Sequence, residues 1–312
     1  MKSVSIQYYE ALKRLKSKNI TLVRNVYMTL MPDEEVGGQS GMVPFSTSND
    51  FKALNVGFEM DEGGPSPTRR LSVIYQDKSV WQVQVDCRGT AGHGSSFPTT
   101  ASTAIGKCFH VMKNLFEIRN QQYKIAVNAP ATDASHYTSL NLNEVSCGTA
   151  PNVIANDVRL TYDIRLNTKL DENAFQRRLE KEIHEAGDGI DITYLLKDPQ
   201  SPATVTTSAN PYWNAVVKGA KETGIDLVPI IPSGSTDARA LRRSGIPALG
   251  MSPLLNTTIL AHAVNEHLAA STFLHGIDIY EKIILELGSI PAKQTGPPSN
   301  YLVHTRQPGL EL

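Results

Sequence analysis

Residues 80–196 keep a hydropathy rhythm that the rest of the chain lacks. Val80, Val83 and Val85 alternate with Gln82 and Gln84. Val158, Leu160, Tyr162, Ile164 and Leu166 alternate with Arg159, Thr161, Asp163 and Arg165. A period of two marks half-buried strands. Between and after them the pattern predicts a helix over 99–121, strands over 137–145 and 153–166, a helix over 171–186 closed by Gly187, and a strand over 190–196. The order is β-α-β-β-α-β, the ferredoxin-like motif, in a block of about 120 residues.

On both sides of that block, helices and strands alternate as in an α/β domain. Val4, Tyr8, Ala11, Leu12 and Leu15 predict a helix from the first residue, without a capping residue before it. An apolar run over 26–31 reads as a strand and ends in Asp33, Glu34 and Glu35, then Gly37 and Gly38. A helix over 41–54 with a polar break at 46–50 follows, then a strand over 56–60 ending in Asp61 and Glu62, and another over 71–76. After residue 202 come a helix over 211–222, a strand over 227–231, a helix over 236–244, a strand over 246–251, a loop carrying His262, and a helix to about 287. The expected fold is therefore an α/β domain, residues 1–77 and 200–290, interrupted by an α+β ferredoxin-like insertion over 78–199. Asp77 and Lys78 mark the hinge. Residues 291–312, polar and proline-bearing, read as a disordered or loosely attached tail.

A formal net charge of -1 recommends no nucleic-acid or anionic-membrane partner. A small-molecule substrate or a protein partner fits better. Cys87, Cys108 and Cys147 are odd in number and widely spaced, so neither a disulfide framework nor a thiolate zinc site is indicated, and a reducing, cytoplasmic compartment is expected. No apolar run reaches the length of a membrane span.

Glu34, Glu35, Asp61 and Glu62 at strand ends, with His262, make a set of oxygen and imidazole ligands suited to zinc or a similar divalent ion. In open α/β sheets ligands bind at the carboxyl ends of the strands, so both acidic clusters are expected to face one crevice. The glycine-rich loop around His93 lies in the inserted block. No G-x-S-x-G or Walker pattern follows a strand. His110, His136, His184, His267, His275 and His304 read as ordinary surface or structural histidines.

The ordered set M-P-D-E-E-V-G-G, M-D-E-G, R-G-T-A-G-H-G, A-P-N-V-I-A, Y-D-I-R-L, S-T-D-A-R, G-I-P-A-L-G-M-S-P and H-A-V-N-E resembles the dinuclear zinc exopeptidase and amidohydrolase family. Within that family it is most similar to the cytosolic aminoacylase branch. The resemblance implies a catalytic domain with two zinc ions, a lid that forms a homodimer, and hydrolysis of N-acyl-L-amino acids to a free amino acid and a carboxylate. It implies Glu35, Glu62 and His262 as metal ligands, with Asp61 as the lesser choice beside Glu62. Glu34 becomes the general base, taking a proton from a zinc-activated water and returning it to the leaving amine. His93 would contact the developing oxyanion, and Asn152 and Arg165 would hold the substrate, the guanidinium being suited to a carboxylate. Arg239, behind Ser235 and Thr236, would assist there; a surface helix arginine is the equal alternative.

The sequence departs from the family at its start. An H-x-D motif and a metal-bridging aspartate are expected ahead of the helix that opens this chain. Without them the 312 residues read as truncated, with weak zinc binding and little turnover expected. The alternatives are a non-catalytic dimerising short form, and a dipeptidase or carboxypeptidase of the same family.

Overall fold

The computed structural model describes residues 1–307, 309 and 310. Along the chain come helices α1 (Lys2–Ser17), α2 (Met42–Phe45) and α3 (Asn49–Ala53), then strands β1 (Glu59–Asp61) and β2 (Leu71–Ile74). Next are β3 (Val80–Arg88), β4 (Gly92–His93), α4 (Ala104–Ala126), β5 (Ser139–Cys147), β6 (Val153–Ile154), β7 (Asp157–Arg165), α5 (Glu172–His184) and β8 (Ile190–Lys197). The last group is β9 (Ala203–Thr204), α6 (Pro211–Glu222), β10 (Leu227–Ile230), α7 (Ala238–Arg243), β11 (Ala248–Gly250), α8 (Ala270–Gly288) and β12 (Leu302–Val303).

The chain divides into two compact units. The first comprises Met1–Asp77, Ser201–Pro232 and Thr236–His304; the second is Lys78–Gln200, with Ser233–Ser235 and the described residues from Thr305 onward.

In the first unit four strands lie in the order β1-β11-β2-β10, with β1 parallel to β11 and β10 parallel to β2. Val4, Ala11 and Leu15 of α1, Val216 of α6 and Ile277, Tyr280 and Ile283 of α8 form one core with Leu71, Val73, Leu249 and Met251. Each such side chain contributes about 1.5–3 kcal/mol by leaving water. Gly219 allows α6 to lie directly on α8, because a Cβ there would stand 2.7 Å from the Cα of Ile283. A smaller core joins Met42 and Phe51 to Ala238, Leu241 and Ala248. Among the described residues, no strand forms over 26–31, contrary to the sequence expectation. That run has strand-like composition, yet no neighbouring strand meets it, and Val26, Met28 and Leu30 stay exposed.

In the second unit the order β5-β7-β3-β8 is antiparallel throughout. Numbered by their place in the motif, the strands run 2-3-1-4. The inward faces of β3 and β7 meet Val111, Leu115 and Ile118 of α4 and Phe175, Leu179 and Ile183 of α5. Both helices start on side-chain caps: Thr103 accepts from the Gly106 N–H at 3.1 Å, and Asp171 from the N–H groups of Asn173 and Ala174. Cys87 on β3 and Cys108 on α4, both buried, form a disulfide that the wide cysteine spacing did not indicate. The ferredoxin-like packing brings the two residues together although 21 positions separate them.

The tail differs from its expectation as well. In the first unit β12 pairs with β9, the Val205 N–H donates to the carbonyl of Tyr301, and the Tyr301 ring meets Tyr212 edge-on at 5.6 Å. In the second, Thr305 and Gln307 donate to the carbonyls of Thr168 and Lys169, and Arg306 pairs with Asp171 at 2.8 Å. Backbone pairing of this kind needs no apolar period, so composition alone hides it. The rest of the tail expectation, at Pro308, Glu311 and Leu312, lies outside the described residues.

Candidate active site

The acidic turn is built on left-handed backbone. Asp33 has φ 57°, Gly37 φ 105° and Gly38 φ 67°, and between them Glu34–Val36 make one turn of 3-10 helix. The Asp33 carboxylate accepts the Ser40 N–H at 2.7 Å, and its carbonyl accepts the Gly38 N–H at 2.9 Å, so this residue fixes the turn. Gly38 has a second reason to be glycine: a Cβ there would stand 2.7 Å from Oδ1 of Asp237.

Arg239 closes the turn from below. It is 3% exposed, and it donates to the Thr236 carbonyl at 2.6 Å and the Gly37 carbonyl at 2.8 Å. It is thus no surface arginine; it holds the backbone that carries Glu34 and Glu35.

At the end of β1, Asp61 is committed to the backbone, accepting from Glu62 N–H at 2.8 Å and Ala238 N–H at 2.7 Å. Glu62 and Glu34 face each other closely enough to interact electrostatically. Burial, then Glu62 and Asp237, push the Glu34 carboxyl up to about 7; burial, then Asp61, push Glu62 up to about 7. Asp237, which the sequence reading did not single out, belongs to the same cluster. Its carboxyl is raised to about 6 by burial and by Asp61, and its Oδ1 is buried without a hydrogen-bond partner. The signal for it was its place in S-T-D-A-R, two residues before Arg239.

His262 sits in a loop at φ 60°, a conformation uncommon outside glycine, and its Nε2 lies 3.2 Å from Oε1 of Glu35. The chain joins these two across 227 positions, yet their side chains are 76% and 72% exposed. Among the described residues, no group of three or more His, Cys, Asp or Glu converges as a metal site would. A catalytic zinc takes about three protein ligands. Glu35 with His262 supplies a pair, and Oδ1 of Asp237, 4.0 Å from Nη1 of Arg239, faces the Gly38 turn. These residues alone do not fit a zinc centre.

Asp77 is more than a hinge. It is buried, accepts the Thr236 N–H at 2.9 Å, and is the counter-ion of Arg242, which is itself fully buried and also donates to the Ala248 carbonyl.

In the second unit, β4 and β6 pair His93 with Val153, and the Gly94 N–H donates to the Asn152 carbonyl at 2.7 Å, so His93 and Asn152 are neighbours. Nδ1 of His93 lies 2.8 Å from Ser95 Oγ. Arg165, at the end of β7, is gripped by both oxygens of Asp163 at 2.7 and 3.1 Å. Lys78 is buried, donates to the Tyr137 carbonyl at 2.6 Å and lies 4.0 Å from that ring; burial, then Arg165, lower its ammonium to about 7.

The sequence model of Peptidase family M20/M25/M40 matches residues 1–286. The chain belongs to this family. Members of the M20/M25/M40 family are metal-dependent hydrolases, and this chain is by family a metal-dependent amidohydrolase. It is 38% identical to rat Aminoacylase-1A and 37% identical to human Aminoacylase-1, each over 94% of this chain and 71% of the relative. Its fold matches an M20 family metallo-carboxypeptidase, Sso-CP2 from Sulfolobus solfataricus, with TM-score 0.68 at 18% identity over 92% of this chain and 75% of that one. It also matches human carnosine dipeptidase 1, with TM-score 0.66 at 12% identity over 92% and 70%. The M20/M25/M40 fold is thus the mixed α/β, zinc-exopeptidase-like one. No helix among the described residues is long and apolar enough to cross a membrane.

Proposed function

We propose that this chain is a zinc-dependent amidohydrolase of the kind that cleaves N-acyl-L-amino acids in the cytoplasm. Glu34 carries that reading. A carboxyl raised to about 7 by burial and neighbouring acids is poised to take a proton from a nucleophilic water and return it to a leaving amine at neutral pH. The level of identity to the aminoacylases favours an acyl-amino acid over a dipeptide. Glu35, Glu62 and His262 are the metal-ligating residues in this reading. His93 is the oxyanion contact; Asn152 and Arg165 hold the substrate amide and carboxylate; and Arg239, anchored on the turn, positions Glu34 and Glu35. Residues 1–77 and 200–290 form the catalytic domain in this reading, and 78–199 the lid.

The chain by itself binds zinc weakly and turns over little, since no three ligands converge among the described residues. The lid forms a homodimer. Ile105, Phe109 and Phe116 make an exposed apolar stripe on α4, and among the described residues β5 has a strand neighbour on one side only.

The purified chain tests this. Expected are less than one zinc per chain by elemental analysis, and slow release of amino acid from N-acetyl-L-methionine that Glu34→Gln reduces at least a further hundredfold. Two tightly held zinc ions with rapid turnover would overturn the weak metal binding; cleavage of dipeptides in preference to N-acetyl-L-methionine would overturn the substrate class.

A further inference from the structure

The loop that carries His93 has little core of its own. Residues 93–97 are exposed, Phe97 wholly so, and the middle of the loop rests on the two-residue pairing of β4 with β6. A surface segment of this kind takes its order from its two ends. Both ends are firmly built. Strand β3, which leads in, pairs with β7 on one side and β8 on the other as far as Cys87, and α4, which leads out, is capped by Thr103. Gly89 lies directly against the start of α4, since a Cβ there would stand 2.1 Å from the Ala104 nitrogen. The Thr90 N–H donates to the Ser102 carbonyl at 2.7 Å, and Nζ of Lys107 donates to the Arg88 carbonyl at 2.9 Å.

The Cys87–Cys108 disulfide sits at this junction, its Cα atoms 5.8 Å apart. It encloses residues 88–107, His93 among them. Cys87 is 0% and Cys108 1% exposed, within the core that includes Val85, Ala104, Val158 and Ile190, whereas Cys147 is free and exposed. Thiol–disulfide exchange requires a thiolate to reach a sulfur, so a reductant meets this bond only when β3 and α4 part.

We propose that Cys87 and Cys108 form a redox-governed clamp on the His93 loop. As the chain folds, one cysteine thiolate attacks a low-molecular-weight disulfide such as oxidised glutathione and releases one thiol; the second thiolate then displaces the other. The two cysteines lose two electrons and two protons, and the oxidant leaves as two thiols. The bond removes freedom from the unfolded loop and pins both of its ends in the fold. Burial shields it, so it outlasts a reducing compartment while the second unit stays folded. Once the bond is reduced, the core of the unit remains and residues 88–107 loosen. The catalytic consequence rests on the reading of His93 as the oxyanion contact; the clamp itself does not.

The test uses the full chain. After equilibration in a glutathione redox buffer and alkylation with iodoacetamide in urea without reductant, mass spectrometry is expected to find one label, on Cys147. In dithiothreitol the native chain keeps the bond at least tenfold longer than the urea-unfolded chain. Hydrogen exchange then compares the oxidised chain, the wild-type chain refolded with its thiols reduced, and Cys87→Ser/Cys108→Ala. Amides of residues 89–103 exchange at least tenfold faster in both forms without the bond, while those of α5 are unchanged. The His93 ring signal, assigned by its loss in His93→Ala, leaves the shift set by Ser95 Oγ, 2.8 Å from Nδ1. Three labels, or equal exchange over residues 89–103 with and without the bond, would overturn the clamp. Acceleration that extends equally to α5 would also overturn it, since the bond would then support the whole unit. If exchange responds as expected but His93→Ala releases amino acid as fast as the wild type, the clamp stands and the reading of His93 falls.

Discussion

Glu34 and Glu62 illustrate how a charged residue takes its chemistry from its surroundings. Each is an ordinary carboxylate in the unfolded chain, near 4.5, and each is held up to about 7 in the fold by burial first and by neighbouring acids second. Between those values the folded chain binds more protons than the unfolded one, so the stability these groups contribute is greatest at low pH and is lost as pH rises through about 7. Asp237 acts in the same direction from 3.8 to about 6. The melting temperature of the metal-free chain is therefore expected to fall from pH 5 to pH 8. Glu34→Gln and Glu62→Gln should each flatten that fall, as a scanning-fluorimetry series would show. A melting temperature that rises over the same window would mean that the carboxylates are compensated by a cation. Arg239 shows the opposite case, in which a long charged side chain is spent on two backbone carbonyls so that a turn of three left-handed residues keeps its shape.

Elements were legible in the sequence where a period and a cap coincide. Strands β3 and β7 carry the alternation that buries Val83, Val85, Leu160 and Tyr162, and α5 and α6 begin on Asp171 and Asn210, whose side chains accept first-turn N–H groups. The acidic residues of the candidate site stood out in the sequence for a similar reason, since Glu34 and Glu62 stand close to glycine turns. What sequence reading missed depends on tertiary partners. Residues 26–31 have a strand's composition and, among the described residues, no strand paired with them, and the tail has a loop's composition and β9 beside it. Hydrogen exchange should show Val303 protected well beyond the rate of an unstructured chain; complete exchange within seconds would mean that β12 is not docked. Asp77 looked like a hinge because it lies between rhythms, yet it neutralises Arg242 in the interior. Asp77→Ala leaves a buried guanidinium without its counter-charge, and urea unfolding should register a loss of about 3–5 kcal/mol. A loss below about 1 kcal/mol, the range of an exposed pair, would show the ion pair to be solvated.

At the scale of the molecule, the second unit exposes several large apolar side chains along one helix. Ile105, Phe109, Phe116 and Tyr123 recur at intervals of 4, 7 and 7 along α4, so they fall close to one face, and all are exposed while Val111, Leu115 and Ile118 fill the core behind them. Val145, exposed near the end of β5, adds to a strand that among the described residues pairs only with β7. An open strand edge beside an apolar helical stripe can be self-complementary about a two-fold axis, and in the homodimer proposed above β5 would pair antiparallel with its copy while the two helices pack side by side. Sedimentation equilibrium at micromolar concentration is expected to give twice the 34.1 kDa chain mass. Phe109→Glu places a charge in the middle of the stripe and should return the monomer mass without lowering the melting temperature, because that side chain is 63% exposed in the single chain. A wild-type chain that sediments as a monomer at tens of micromolar would remove the homodimer from the proposed function. It would leave the stripe on α4 available to a different partner.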